Sequence, residues 1–168
     1  SQLLIKEDGI LAGVEVAKKV FAEFDNELQV EVLIADGTPV KVGDIAMVVT
    51  GRIRSLLQTE RLMLNIMQRM SGIATMTHKY VELLKGTHTR VLDTRKTTPG
   101  LRMLEKQAVK IGGGTNHRIG LFDMILLKDN HIGAAGSVTN AIKMAKAYAP
   151  FVRKIEIETE TLAQVQEA

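Results

Sequence analysis

The chain contains no cysteine and no tryptophan, and only three of its 168 residues are proline. Without cysteine, a disulfide framework, a thiolate zinc site and a cysteine nucleophile are excluded. Aromatic residues make up 4% of the chain, and Phe122 is the one that falls among the basic residues. That is too few for base-stacking platforms, so nucleic acid is not an expected partner. No apolar run approaches the roughly 18 residues of a membrane span. The opening stretch SQLLIKEDG lacks a basic segment followed by a long apolar one, so no signal peptide is read there. The expected setting is cytoplasmic, away from membranes.

What is present is a globular composition, 45% hydrophobic and 24% charged, which argues against wholesale disorder. The charge is uneven. Residues 1–60 carry 6 Lys+Arg against 10 Asp+Glu, residues 61–128 carry 12 against 4, and residues 129–168 carry 4 against 5. One basic block between acidic flanks points to a local anionic partner.

The patterning predicts mixed α and β structure. Leu3–Ile5, the alternating Leu28, Val30, Val32 and Ile34, and Ile45–Ile53 read as strands, and Val14, Ala17, Val20, Phe21 and Phe24 as a helix face. Ser55 with Gln58 reads as a capping box opening a helix. That helix carries the Met63, Met67 and Met70 stripe, is interrupted at Gly72, and resumes to about Lys85, before Gly86. A Met stripe of this kind is core packing. From residue 89 three βα units follow. The strands lie at Arg90–Asp93, Met124–Lys128 and Lys154–Glu158. The helices open at Pro99, at Ser137 and at Thr161 with Gln164. Such units make parallel strands with crossover helices, and chemistry gathers at the C-terminal strand ends.

Those ends are charged: Asp93-Thr94-Arg95-Lys96, Lys128-Asp129-Asn130-His131, and Glu156 or Glu158. Arginine grips carboxylate or phosphate with a planar fork, and lysine supplies a mobile charge. Arg95, Lys96, Arg102, His117, Arg118 and Lys128 therefore form a cationic set at one rim. Gly112-Gly113-Gly114 offers either backbone N–H groups to an anion or a helix end. The four histidines form no metal-ligand pattern, and no metal-ligating residue is expected.

Glu60-Arg61-Leu-Met-Leu-Asn65, Ser71-Gly-Ile-Ala-Thr75, Leu92-Asp-Thr-Arg-Lys-Thr-Thr-Pro-Gly-Leu-Arg102, Glu105-Lys106, Gly112-Gly-Gly-Thr-Asn-His-Arg118 and Lys128-Asp-Asn-His131 together resemble the quinolinate phosphoribosyltransferases. The resemblance implies an α/β fold: an N-terminal α/β sandwich portion over residues 1–60, then part of an incomplete, TIM-like α/β barrel of parallel βα units over 61–168. It implies phosphoribosyl transfer from phosphoribosyl pyrophosphate to quinolinate with decarboxylation, giving nicotinate mononucleotide, pyrophosphate and CO₂ in NAD biosynthesis, assisted by Mg²⁺. It implies substrate binding by Arg61, Thr94, Arg95, Lys96, His117, Arg118, Lys128 and Glu158, with Lys96, Lys128 and Glu158 catalytic, Glu156 being the rival of Glu158 if the register slips. A homodimer in which Arg61 reaches the neighbouring site is also implied. Family members are longer at both ends. The alternatives are a molybdenum-transport-associated paralogue on the same scaffold, or a catalytically silent fragment acting as a binding module.

Overall fold

The structure is a computed structural model describing residues 1–152 and 154–168. It divides into two compact units, Ser1–His117 and Arg118–Ala168.

The first unit opens with β1 (Gln2–Leu4), β2 (Gly9–Ile10), α1 (Val14–Phe24), β3 (Gln29–Val32), β4 (Pro39–Val40) and β5 (Ile45–Thr50). β5 is the centre of an antiparallel sheet in the order β1-β5-β3, and β2 pairs with β4. Its Ala46, Met47 and Val49 are buried against Val14, Ala17 and Phe21 of α1 and against Met63 and Met67. The period-2 and helical patterns in the sequence therefore meet in one core.

Next comes α2 (Ile53–Leu83), a single helix of 31 residues. The expected break at Gly72 is absent. Gly72 lies on the solvent side, while Met70 and Ala74, on either side of it in sequence, are both buried. An isolated helical glycine costs only about 1 kcal/mol, and that packing exceeds it. The Met63, Met67 and Met70 stripe is core, as its spacing suggested. Ser55 does not cap the helix. Arg52 is the N-cap, and Ser55 lies inside the first turns, where its hydroxyl donates to Asp25 Oδ2 (2.6 Å).

Helix α3 (Arg102–Ile111) lies against α2. It starts later than expected, because Pro99 and Gly100 form the centre of a turn. Gly100 takes φ +77°, and the Leu101 N–H closes the turn onto the Thr98 carbonyl (3.0 Å). The expected strand at Arg90–Asp93 is reduced to one parallel bridge, Leu92 to Thr115. Its neighbours bond to the same residue, Thr115 N–H to Val91 O (2.8 Å) and Asp93 N–H to Thr115 O (3.2 Å). Among the described residues no further strand pairs with it.

The second unit contains β6 (Ile125–Leu127), α4 (Asp129–Ala135), α5 (Val138–Tyr148), β7 (Ile155–Ile157) and α6 (Leu162–Glu167). β6 and β7 are parallel, in register Leu126 to Glu156. Leu127, Ala141 and Ala145 form its small core, with Ile155 and Ile157 against them. Ser137 caps α5 and Thr161 with Gln164 boxes α6, as the sequence suggested. α4 was not foreseen; the stretch from Asp129 reads in sequence only as a strand end. No helix among the described residues is long and apolar enough to cross a membrane.

Candidate functional site

In the first unit the chemistry-bearing residues gather around Asp93. Its Oδ1 accepts from Lys106 Nζ (2.5 Å) and from the His117 N–H (2.8 Å). Its Oδ2 accepts from Asn116 Nδ2 (2.5 Å), which also donates to the Lys106 carbonyl (2.8 Å). Lys106 Nζ donates in turn to the His117 carbonyl (3.2 Å). The Asp93 and Lys106 side chains are both buried, so this is an ion pair with its hydrogen bonds satisfied, the condition under which buried charge is tolerated.

The Asp93–Leu101 loop is secured further along. Arg102 Nε donates to Thr97 Oγ1 (3.1 Å) and Nη2 to the Arg95 carbonyl (3.3 Å). Glu105 Oε2 accepts the Thr98 N–H (3.1 Å) and Oε1 accepts from Arg69 Nε (2.8 Å). Burial pushes the Glu105 carboxyl up, but hydrogen bonds from Thr98 and Arg69 outweigh it and hold the group below the usual carboxylate range.

On this frame stand Thr94, Arg95 and Lys96, with His117 beside Asp93. Thr94 Oγ1 accepts the Lys96 N–H (3.0 Å), a local turn. Arg95 Nε is buried with no hydrogen-bond partner. A buried orphan donor is rare and calls for an acceptor supplied from elsewhere. Arg102, counted with the cationic set, also secures the loop.

The three glycines cradle nothing. Their N–H groups go to Ala108, Lys110 and Val109 carbonyls (3.0, 3.0 and 2.9 Å). A Cβ on Gly112 would stand 2.4 Å from the Ala74 carbonyl oxygen, and one on Gly114 2.8 Å from Thr77 Cγ2. They let the end of α3 meet α2 at backbone distance.

Arg61 stands exposed on α2. In the second unit Arg118 opens the chain segment, and Lys128 and Glu158 form an ion pair (Nζ to Oε2, 3.0 Å) with both side chains partly exposed. The Glu158 N–H donates to the Leu127 carbonyl (2.9 Å), which sets Glu158 one residue past β7 and beside Lys128. Glu158, one of the two glutamates weighed in the sequence, thus stands within ion-pair distance of Lys128. The Lys128 N–H donates to His131 Nδ1 (2.9 Å), so this histidine caps α4.

Glu105 and Lys106 belong to a sequence motif that assigns them no role. Their partners lie 7 to 36 positions away, and no local signal reveals that.

The quinolinate phosphoribosyl transferase N-terminal domain model matches residues 1–71 and its C-terminal domain model residues 73–168. The chain belongs to this family. Curated relatives include the probable nicotinate-nucleotide pyrophosphorylases [carboxylating] of Synechocystis sp. (45% identical, covering 97% of this chain and 55% of the relative) and Bacillus subtilis (45%, covering 100% and 58%). Among solved structures, NadC from Streptococcus pyogenes superposes with a TM-score of 0.94 at 51% identity, covering 99% of this chain and 59% of that one. The chain thus spans little more than half the length of these family members. The α/β class read from the sequence agrees with them.

Proposed function

We propose that the protein carrying this chain transfers a phosphoribosyl group from phosphoribosyl pyrophosphate to quinolinate, with loss of CO₂, in NAD biosynthesis. The observation that carries the reading is the buried, unpartnered Arg95 Nε in a motif flanked by Thr94 and Lys96. Quinolinate brings two carboxylates, and its partner substrate brings a pyrophosphate; both are acceptors for a planar fork. Arg95, His117 and Arg118 are assigned to the carboxylates, with Thr94 as a hydroxyl donor. Lys96 and Lys128 balance the charge of the departing pyrophosphate, and Glu158 faces the ribose.

The ring nitrogen of quinolinate forms the new bond to the anomeric carbon as the bond to pyrophosphate breaks. Positive charge builds on the ribose carbon and negative charge on the leaving oxygens, so fixed cations there stabilise the transition state more than the ground state. Departure of CO₂ leaves an electron pair on the ring carbon. Nearby cations stabilise it until a proton arrives.

Among the described residues no three carboxylates or histidines cluster as a metal cage. A Mg²⁺ ion arriving on the substrate's phosphates would neutralise the pyrophosphate, with the carboxylate of Glu158 offered to it. We assign the protein to the cytoplasm and to a homodimer. Arg61 stands on the outer side of α2 near exposed Ile53 and Leu57, a surface suited to carrying it to a neighbouring subunit's site.

The test is quinolinate-dependent pyrophosphate release by the natural protein, with and without Arg95→Lys. Losing the fork leaves a carboxylate imperfectly paired, so quinolinate affinity should fall about 5- to 150-fold. No release by the natural protein overturns the assignment.

A further inference from the structure

The Asp93–Leu101 loop holds three of the assigned substrate contacts, yet it has almost no structure of its own. Leu92 makes one bridge before it. Inside it, the Lys96 N–H goes to Thr94 Oγ1 and the Leu101 N–H to Thr98 O. A loop so short of backbone pairing takes its shape from whatever grips it.

Two consecutive residues of α3 do the gripping, with opposite charge. Glu105 and Lys106 are 8% and 3% exposed. Neither spends its charge on the other. Glu105 takes the C-terminal end of the loop through the Thr98 N–H, and holds Arg69, whose Nη2 donates to Thr98 Oγ1 (2.7 Å). Lys106 takes the N-terminal end through Asp93 and adds the His117 carbonyl. Burying two charges on one helix is a poor way to gain stability, because apolar residues of like volume do as well or better. What the charges give is direction: each bond ends on a particular atom of the loop or of His117.

We propose that Glu105 and Lys106 are positioning residues, which pin the two ends of the Asp93–Thr98 segment and the His117 backbone so that Thr94, Arg95, Lys96 and His117 are pre-set for an anionic substrate. The proposal rests on the functional reading above for the word substrate, and on geometry for the rest. It places neither residue in contact with the reacting atoms. Misplacing a binding group by about 1 Å costs up to about 100-fold, so the effect of loosening the clamp is large enough to read.

The experiment compares Glu105→Ala, Glu105→Gln and Arg69→Met with Met103→Ala, an exposed control on the same helix, in the natural protein. Melting curves establish which variants fold, and KM and kcat are then measured for quinolinate. Glu105→Ala and Arg69→Met should raise KM about 10-fold or more with a smaller change in kcat, by loss of a charge-assisted bond. Glu105→Gln keeps an acceptor for Thr98 and should recover most of the loss, and the control should match the natural protein. If Glu105→Ala does not fold, Arg69→Met, altered at a half-exposed side chain, carries the test. A natural KM in whichever of these two folds overturns the proposal. If the natural protein releases no pyrophosphate, the functional reading fails by itself. The clamp is then judged by amide hydrogen exchange: the Thr98 amide should exchange about 10-fold faster in the folded variant, with the α3 amides unchanged. Unchanged exchange at Thr98 overturns it.

Discussion

Lys106 Nζ lies 2.5 Å from Asp93 Oδ1, and both side chains are more than nine-tenths buried. Removing one partner strands the other. Lys106→Met should cost about 3–5 kcal/mol, the usual penalty for an uncompensated buried charge. Lys106→Met with Asp93→Asn should regain part of it. Urea denaturation of the natural protein, both single variants and the double variant measures the coupling, and a Lys106→Met variant as stable as the natural protein would show the pair to be solvated.

Two glycine replacements should act in opposite directions. Gly72 is exposed in mid-helix with nothing within 4 Å of an added Cβ, so Gly72→Ala should stabilise by about 0.5–1 kcal/mol. Gly112→Ala puts a methyl 2.4 Å from the Ala74 carbonyl oxygen. The helices must separate, at about 1–3 kcal/mol. Thermal melts of both variants decide it, and a shift of the same sign in each would contradict the described contact.

Acid should destabilise the first unit through Glu105. Its carboxyl is held below the usual range, so its contribution is fully present above the unfolded value near 4.3 and is lost as the pH falls through the lower folded value. Asp25 acts in the same direction, held down by the Ser55 hydroxyl and then by the Glu27 N–H. Melting temperature should fall as pH drops below about 4. Glu105→Gln, which cannot titrate there, should show a shallower fall. Equal slopes would remove Glu105 from the acid response.

The Lys128–Glu158 pair should behave differently from the buried one. Both side chains are partly exposed (43% and 60%), and water screens such pairs. Glu158→Gln should change stability by no more than about 1 kcal/mol. The melt of that single variant checks this, and a large loss would mean the pair is shielded in the native protein.

What could be read in the sequence was what depends on near neighbours. Ser137 and Thr161 announced their helices because an N-cap acts within three residues. The Met63, Met67 and Met70 stripe announced a buried face because helical spacing alone generates it. Distant partners were hidden. Gly112 to Gly114 could be read either as N–H groups for an anion or as a helix end, because the approach of α2, some 35 positions back, leaves no trace in local composition. Arg90–Asp93 had strand character but not a ladder to join. α4 was missed because Lys128-Asp-Asn-His reads as a polar strand end until His131 is seen accepting the Lys128 N–H. Within the candidate site, the cations and their motif were visible, whereas the carboxylate and lysine that aim them were not.

The two family models meet at residues 71 and 73, inside a helix that at 1.5 Å per residue runs unbroken for about 46 Å. One buried cluster straddles that seam, with Ile10, Ala12 and Met70 from one side and Ala74 and Ala108 from the other. The boundary between the two domain models is therefore not a joint in the structure. A protease cut there would leave each product with half of a shared wall, and neither half could be exchanged for a foreign counterpart without rebuilding that wall in both.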